Sequence, residues 1–246
     1  THRGPLFPYT PLFRPVKRFW KEATAVEAPD GYAVELDGRP VRTPAKVPLV
    51  FPTLALAQAA ALEWDAQQGE VDPGTMPVTR AGNASIDKVA VAHAEVVEML
   101  AAYADSDLLC YRAPHPEELI ARQSAAWDPL LDWAHDTYGA RLSTVVGVVH
   151  VPQDDDALRR LCAPLHDMTA FEITAMHDLI SLSGSLVIGL AAASNHLPVE
   201  ELWRLSRIDE AFQIEQWGAD DEAEAQALIK ERAFLDADRF LRLTRK

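Results

Sequence analysis

Between Asp209 and Glu224 the sequence carries seven acids and no lysine or arginine, interleaved with Phe212, Ile214 and Trp217. A carboxylate set into an apolar surface is costly unless it is paired or hydrogen-bonded. Read as one helix from Val199 to Gln216, the segment places Leu202, Leu205, Ile208 and Phe212 on one apolar face. Trp203, Ile214 and Trp217 fall on a second. Asp209 then lies between Leu202 and Leu205, and Glu210 between the two tryptophans. One chemistry open to this pattern is internal: Arg207, three residues before Glu210, could pair with it and orient two packed helices. The other is recognition, in which acids beside exposed aromatic surface meet a partner protein through an apolar contact and a basic residue. The candidate partner-binding residues are Asp209, Glu210, Gln213, Glu215, Trp217, Asp220 and Asp221. Asp220, Asp221 and Glu222 also suit the first turn of a helix that follows Gly218, where acids meet the positive end of the dipole.

Catalytic and cofactor chemistry finds little support. There is no GxxxxGK[ST] phosphate loop and no GxGxxG after a strand. Ser183-Gly184-Ser185 lies in an apolar helical pattern with no following lysine, so it reads as close helix packing rather than a phosphate cradle. GxSxG is missing, so neither serine is an elbow nucleophile. None of the eight histidines forms HExxH. Asp154-Asp155-Asp156 reads as a helix cap with first-turn acids rather than a calcium loop. Cys110 and Cys162 sit among leucines without metal-ligand spacing, as buried free thiols in a reducing compartment would. The expectation is no catalytic residue, no metal and no cofactor.

The elements that must position the acidic segment follow from periodicity. Ala23–Val26, Tyr32–Leu36, Arg39–Thr43 and Pro48–Phe51 read as a small β-meander turned at Pro29-Asp30-Gly31 and Asp37-Gly38. Thr53 caps a helix from Leu54 to about Gln68, in which Trp64 follows the apolar spacing and reads as an anchor. Trp20 and Trp127 are read with it as structural or interface residues. Further helices are expected over Ser85–Ala104, Glu117–Tyr138, Ala157–Met168, Phe171–Ala193, Val199–Gln216 and Asp221–Leu243. Leu108–Tyr111 and Leu142–Val151 are the only later strand-like runs. Strands followed by helices define an α+β chain: an extended arm over 1–19, a β-rich part over 20–82 and a larger, mainly helical part over 83–246. Four prolines at positions 5, 8, 11 and 15 keep the basic first twenty residues from forming an amphipathic helix.

Composition narrows the partners. A net charge of −14 disfavours phosphate backbones and anionic membrane surfaces, and leaves a basic protein surface open. The apolar run Leu179–Ser194 falls short of the roughly 20 residues that cross a bilayer, so it reads as a buried helix packed through small residues.

Several ordered blocks along the chain resemble one family. They are Lys17-Arg18-Phe19-Trp20, Leu36-Asp37-Gly38-Arg39-Pro40-Val41-Arg42-Thr43-Pro44, Glu63-Trp64-Asp65-Ala66-Gln67 and Met76-Pro77-Val78-Thr79. They continue as Asp107-Leu108-Leu109-Cys110-Tyr111-Arg112-Ala113, Trp127-Asp128-Pro129-Leu130-Leu131-Asp132-Trp133 and Ser206-Arg207 to Glu215-Gln216-Trp217-Gly218. The sequence is similar to the assembly chaperones of F-type ATP synthase that bind the alpha subunit of its catalytic sector. That resemblance implies a β-containing N-terminal domain, a helical C-terminal domain and no ATPase activity. It implies a chaperone that shields the unassembled alpha subunit, with Glu210 and Glu215, then Asp220 and Asp221, nearest the family's sensitive acids; a monomer is the separate expectation. Bacterial and mitochondrial relatives both exist, and the alanine- and arginine-rich acidic style favours a bacterial cytoplasm. Two other readings stay open: an enzyme using His166, His177 and Glu172 in a helical pocket, and a subunit retained in the finished complex.

Overall fold

A computed structural model describes residues 17–246. The arm expected over 1–19 therefore lies, up to Val16, outside the described residues. Lys17 forms an isolated bridge with Glu70, and Arg18 donates to the carbonyls of Trp20 and Gln67 at 3.1 and 2.8 Å.

The expected meander is present. β1 (Ala23–Ala28) pairs antiparallel with β2 (Gly31–Leu36), which pairs on its other edge with β3 (Arg39–Pro40) and β4 (Val50–Phe51). Asp37 and Gly38 both take positive φ at the second turn, as a tight two-residue hairpin demands. The Asp37 carboxylate also accepts the Glu22 and Lys21 amides, bonds that hold its pKa below the usual carboxylate value. β2 sends Val34 and Leu36 into the core.

Helix α1 (Leu54–Asp65) covers the sheet, with Thr53 accepting the Leu56 amide as its cap. The Thr53 hydroxyl also donates to the Leu243 carbonyl at 2.7 Å, tying the front of the chain to its last helix. Helix α2 (Pro77–Ala84) is capped from outside: Glu63 on α1 accepts the amides of Val78 and Thr79 at 2.7 and 2.8 Å. Gly82 on α2 is required by its neighbour, since a Cβ there would stand 2.6 Å from the Phe51 ring. Phe51, Phe171 and Phe240 form an aromatic relay with centroids 6.1 and 6.2 Å apart, running from sheet to C-terminus. One cluster of buried apolar residues extends from Trp20 to Leu241.

The single helix expected over Ser85–Ala104 is divided. A π-helical turn at Ser85–Val89 continues α2, a break follows, and α3 (His93–Ala101) runs into a 3₁₀ turn at Ala102–Ser106. The Ser85 hydroxyl lies 2.8 Å from the Ala81 carbonyl and 2.8 Å from Thr174 Oγ1, while its own carbonyl accepts the Ala90 amide five residues on. Leu108–Cys110 is likewise a 3₁₀ turn rather than a strand. It leads into β5 (Tyr111–Arg112), which pairs in parallel with β6 (Val145–Val146). Only two residues of the strand-like run Leu142–Val151 are paired.

Helix α4 (Glu117–Tyr138) has the bounds that the periodicity gives, and α5 (Asp155–His166) has Asp154 as its cap. The pattern Phe171–Ala193 is two helices, α6 (Ala170–Ser183) and α7 (Leu186–Ala193), separated by left-handed Gly184. Apolar periodicity ran through the break because both helices are buried on most sides. Gly189 of α7 packs so close to α6 that a Cβ would meet Ile180 Cγ1 at 2.6 Å, the small-residue contact expected there. The chain ends with α8 (Val199–Leu205), α9 (Ile208–Trp217) and α10 (Asp221–Thr244). The helix expected over Val199–Gln216 therefore breaks after Leu205.

Asp107 secures the start of α7. Its carboxylate accepts the Leu109 amide at 3.0 Å and the Val187 amide at 3.1 Å, and the Ser185 side chain bonds to it as well. Burial nonetheless pushes its pKa up to about 6, against those bonds. Asp107→Asn turns an amide NH2 toward one of these N–H donors and is expected to cost about 1–3 kcal/mol of stability. A pKa raised by folding contributes stability below the unfolded value that is lost as pH rises through the folded value. The gap between wild type and Asp107→Asn should therefore be larger at pH 5.5 than at pH 7.5, as urea unfolding of both proteins would measure. Equal gaps would show that Asp107 stays ionised across that window.

Candidate functional site: an acidic helical projection

The break between α8 and α9 decides what the acidic segment can do. Trp203, at the end of α8, turns inward and packs on Phe234 of α10 with centroids 5.4 Å apart. Phe212 of α9 is buried, with Ile208 half-buried beside the core, as the first apolar face predicted. The second face does not survive as one surface: Trp203 is buried, whereas Ile214 and Trp217 point to solvent. Trp217 is 81% exposed. Every residue from Gln213 to Lys230, spanning the end of α9, the turn and the start of α10, is exposed.

Three of the candidate residues are held by neighbours. Asp209 is half-buried and accepts from the Gln123 amide on α4 at 2.6 Å, so it docks α9 on α4. Arg207 pairs with Glu210 at 2.6 Å while its guanidinium lies 5.2 Å from the Trp203 ring centre. Glu215 pairs with Arg122 at 2.7 Å, and Arg122 also pairs with Glu118 and covers the Phe212 ring. Arg122 is the residue that sequence reading missed, because it comes from a helix some ninety positions away. Asp220 caps α10 by accepting the Ala223 amide at 2.8 Å. Asp221, Glu222 and Glu224 have no ion-pair partner among the described residues, and Gln213 of α9 is exposed. The unpaired negative charge is thus displaced toward the first turn of α10.

Beyond the acids, α10 presents Leu228 and Ile229 to solvent. No spacing announces this: Ile229 shares the stripe of Ala237 and Phe240, which are buried, and only the projection of the helix beyond the body exposes it. Val146 at the end of β6, with Val148 and Val149 after it, forms a separate set of exposed apolar residues.

Three further tryptophans of the candidate set pack against the body. Trp127 is fully buried and donates to the Leu205 carbonyl at 2.8 Å. Trp20 is buried edge-on against half-buried Trp64, with centroids 5.3 Å apart.

The residues offered for an enzyme do not converge. His177 pairs with Asp178 at 2.8 Å, Glu172 closes the Thr169 capping box and binds Arg245, and His166 is exposed on another helix. Among the described residues no group of three His, Cys, Asp or Glu side chains could hold a metal, and no helix is long and apolar enough to cross a membrane. Burial raises the thiol pKa of Cys110 to about 12 and of Cys162 to about 11, which leaves both unreactive at neutral pH.

The fold and this surface define a mainly helical α+β protein whose distinctive feature is an exposed acidic and apolar projection. Four matches to known proteins give the class its name. The ATP12 chaperone protein family profile matches residues 17–135. The crystal structure of Atp12 from Paracoccus denitrificans superposes with a TM-score of 0.90 at 47% identity, over 93% of this chain and 98% of that one. An aspartate-to-lysine variant of the same Paracoccus protein superposes equally well, at 46% identity over 93% and 97% of the two chains. Protein atp12, mitochondrial, of Schizosaccharomyces pombe is 26% identical over 87% of this chain and 78% of its own length. The chain belongs to the ATP12 chaperone family, the ATP synthase assembly chaperones that its sequence blocks resemble.

Proposed function

We propose that the protein binds the unassembled alpha subunit of the ATP synthase catalytic sector and shields its apolar face until the next subunit replaces it. The observation that carries this reading is the α9–α10 projection. There Ile214, Trp217, Leu228 and Ile229 are exposed beside the unpaired acids Asp221, Glu222 and Glu224. Exposed apolar side chains beside like charge suit a partner with an apolar surface and basic residues. The protein acts as a monomer, without cofactor or catalysis, in the cytoplasm of a bacterium. In this reading Asp221 and Glu222 carry recognition, supported by their lack of an ion-pair partner among the described residues, whereas Glu210 and Glu215 are tied to arginines.

Binding to isolated alpha and beta subunits over a salt series is the test. Selective, salt-sensitive capture of alpha, released when beta is added, is the expected result. Capture of neither subunit would overturn the reading. Asp221→Lys/Glu222→Lys is expected to weaken capture roughly tenfold and to flatten its salt dependence. Reversing both charges should cost helix α10 about 1–2 kcal/mol from its dipole, too little to unfold it, so circular dichroism would remain that of the parent. Unchanged capture by that folded double variant would remove these acids from the interface.

A further inference from the structure

A cleft of about 440 Å³ opens where α2 with its π-helical turn, α3, α6 and α10 converge. That volume lies within the roughly 300–1,000 Å³ of built ligand sites. Ala81, Val89, Val96, Ala175, Ala237 and Phe240 give it apolar walls, and exposed Met99 stands at its mouth. The π-turn forms part of one wall, and π-turns concentrate at functional sites.

The carboxylates at the rim have hydrogen-bonding or ion-pair partners, whereas the cations have none among the described residues. Asp178 is paired with His177 at 2.8 Å, and Asp236 faces Arg232 at 3.5 Å. Arg80 and Lys88, eight residues apart on the opposite wall, are both exposed, and no ion pair among the described residues reaches either. The two together place uncommitted positive charge beside an apolar cavity. Apolar walls and unmatched positive charge are together complementary to an apolar side chain flanked by a carboxylate.

The cleft also joins the projection. Ile229, Ala233, Ala237 and Phe240 follow one stripe of α10, passing from 61% exposed at Ile229 to buried at Ala237 and Phe240. From Ile229 to Ala237 is about 12 Å along the helix, a span of two turns of a partner helix.

We propose that this cleft is a second recognition site, which receives an apolar side chain of the partner protein while an acid beside that residue pairs with Arg80 and Lys88. The partner segment then lies along α10, from Ile229 into the cleft. The site rests on the reading that the protein captures the alpha subunit, and it divides recognition between two chemistries: acids at the projection, bases at the cleft.

Photo-crosslinking separates the two readings. Benzoylphenylalanine is placed at Met99 in one protein and at Trp217 in another, and each is irradiated with the isolated alpha subunit. The expected result is a crosslink from Met99 to an alpha-subunit segment with Asp or Glu beside an apolar residue. Arg80→Glu/Lys88→Glu, confined to exposed side chains, should weaken capture roughly five- to tenfold with an unchanged melting temperature. Crosslinks from Trp217 but none from Met99, with full capture by the double variant, would overturn the cleft site and leave the chaperone reading standing. No capture by the unmodified protein would overturn both.

Discussion

Trp217→Ala is expected to weaken alpha-subunit capture by about 2–4 kcal/mol, some 30- to 1,000-fold in Kd, with the fold unchanged. Energy at protein interfaces concentrates in a few large aromatic side chains that are exposed when free and desolvated when bound. Trp217 has that exposure, and it is the last residue of α9, where Gly218 turns the chain. No side-chain hydrogen bond or ring contact among the described residues holds its indole, so truncation leaves nothing in the folded protein unpaired. The stability change should stay within about 0.5 kcal/mol, as for other surface substitutions. Leu228→Ala, with a smaller side chain, should lose less. Titration calorimetry against isolated alpha subunit, beside a melting curve, checks both statements. A Kd within threefold of the parent would remove Trp217 from the interface.

The contrast between Trp217 and Trp203 shows how much of this site the sequence could carry. Both fall on one face of a continuous wheel, yet one is buried and the other is the most exposed tryptophan described. The wheel fails because the helix breaks at Ser206, whose hydroxyl donates to the Trp203 carbonyl at 2.7 Å and whose neighbour Arg207 leaves helical geometry. No glycine or proline marks that break. Where a cap is legible, the reading holds: Thr53 and Asp154 cap α1 and α5 as expected. Gly184 ends a helix, but its apolar surroundings read as uninterrupted packing. The Arg207–Glu210 pair was legible because three residues separate its members on one helix. The Arg122–Glu215 and Gln123–Asp209 contacts were not, since each depends on α4 lying across α9. Local pairs follow from spacing; pairs between distant helices follow only from the assembled core.

That dependence on α4 sets the second large effect. Trp127→Ala is expected to destabilise the protein by about 3–5 kcal/mol, within the range of large aromatic truncations in a packed core. At a few degrees per kcal/mol for a chain of this size, the melting temperature falls by roughly 10–15 °C. The ring is fully buried, Arg112 lies 5.4 Å from its centre, and Arg112 pairs in turn with Asp128 at 2.7 Å. Its indole N–H satisfies the carbonyl of Leu205, the last residue of α8, immediately before the chain turns into α9. Trp127 therefore fixes the point from which the projection departs, as well as filling the core. Trp127→Phe separates the two roles: it keeps most of the ring but leaves the Leu205 carbonyl without its donor, a loss of about 1–3 kcal/mol. If the junction aims the projection, Trp127→Phe should remain folded at 25 °C and still capture alpha subunit more weakly than the parent. Parental capture by that folded variant would show that the bond stabilises the core without orienting α9. A loss of capture with Asp209 and Glu215 still docked on α4, read from hydrogen exchange along α9, would trace the defect to the Leu205 hinge itself.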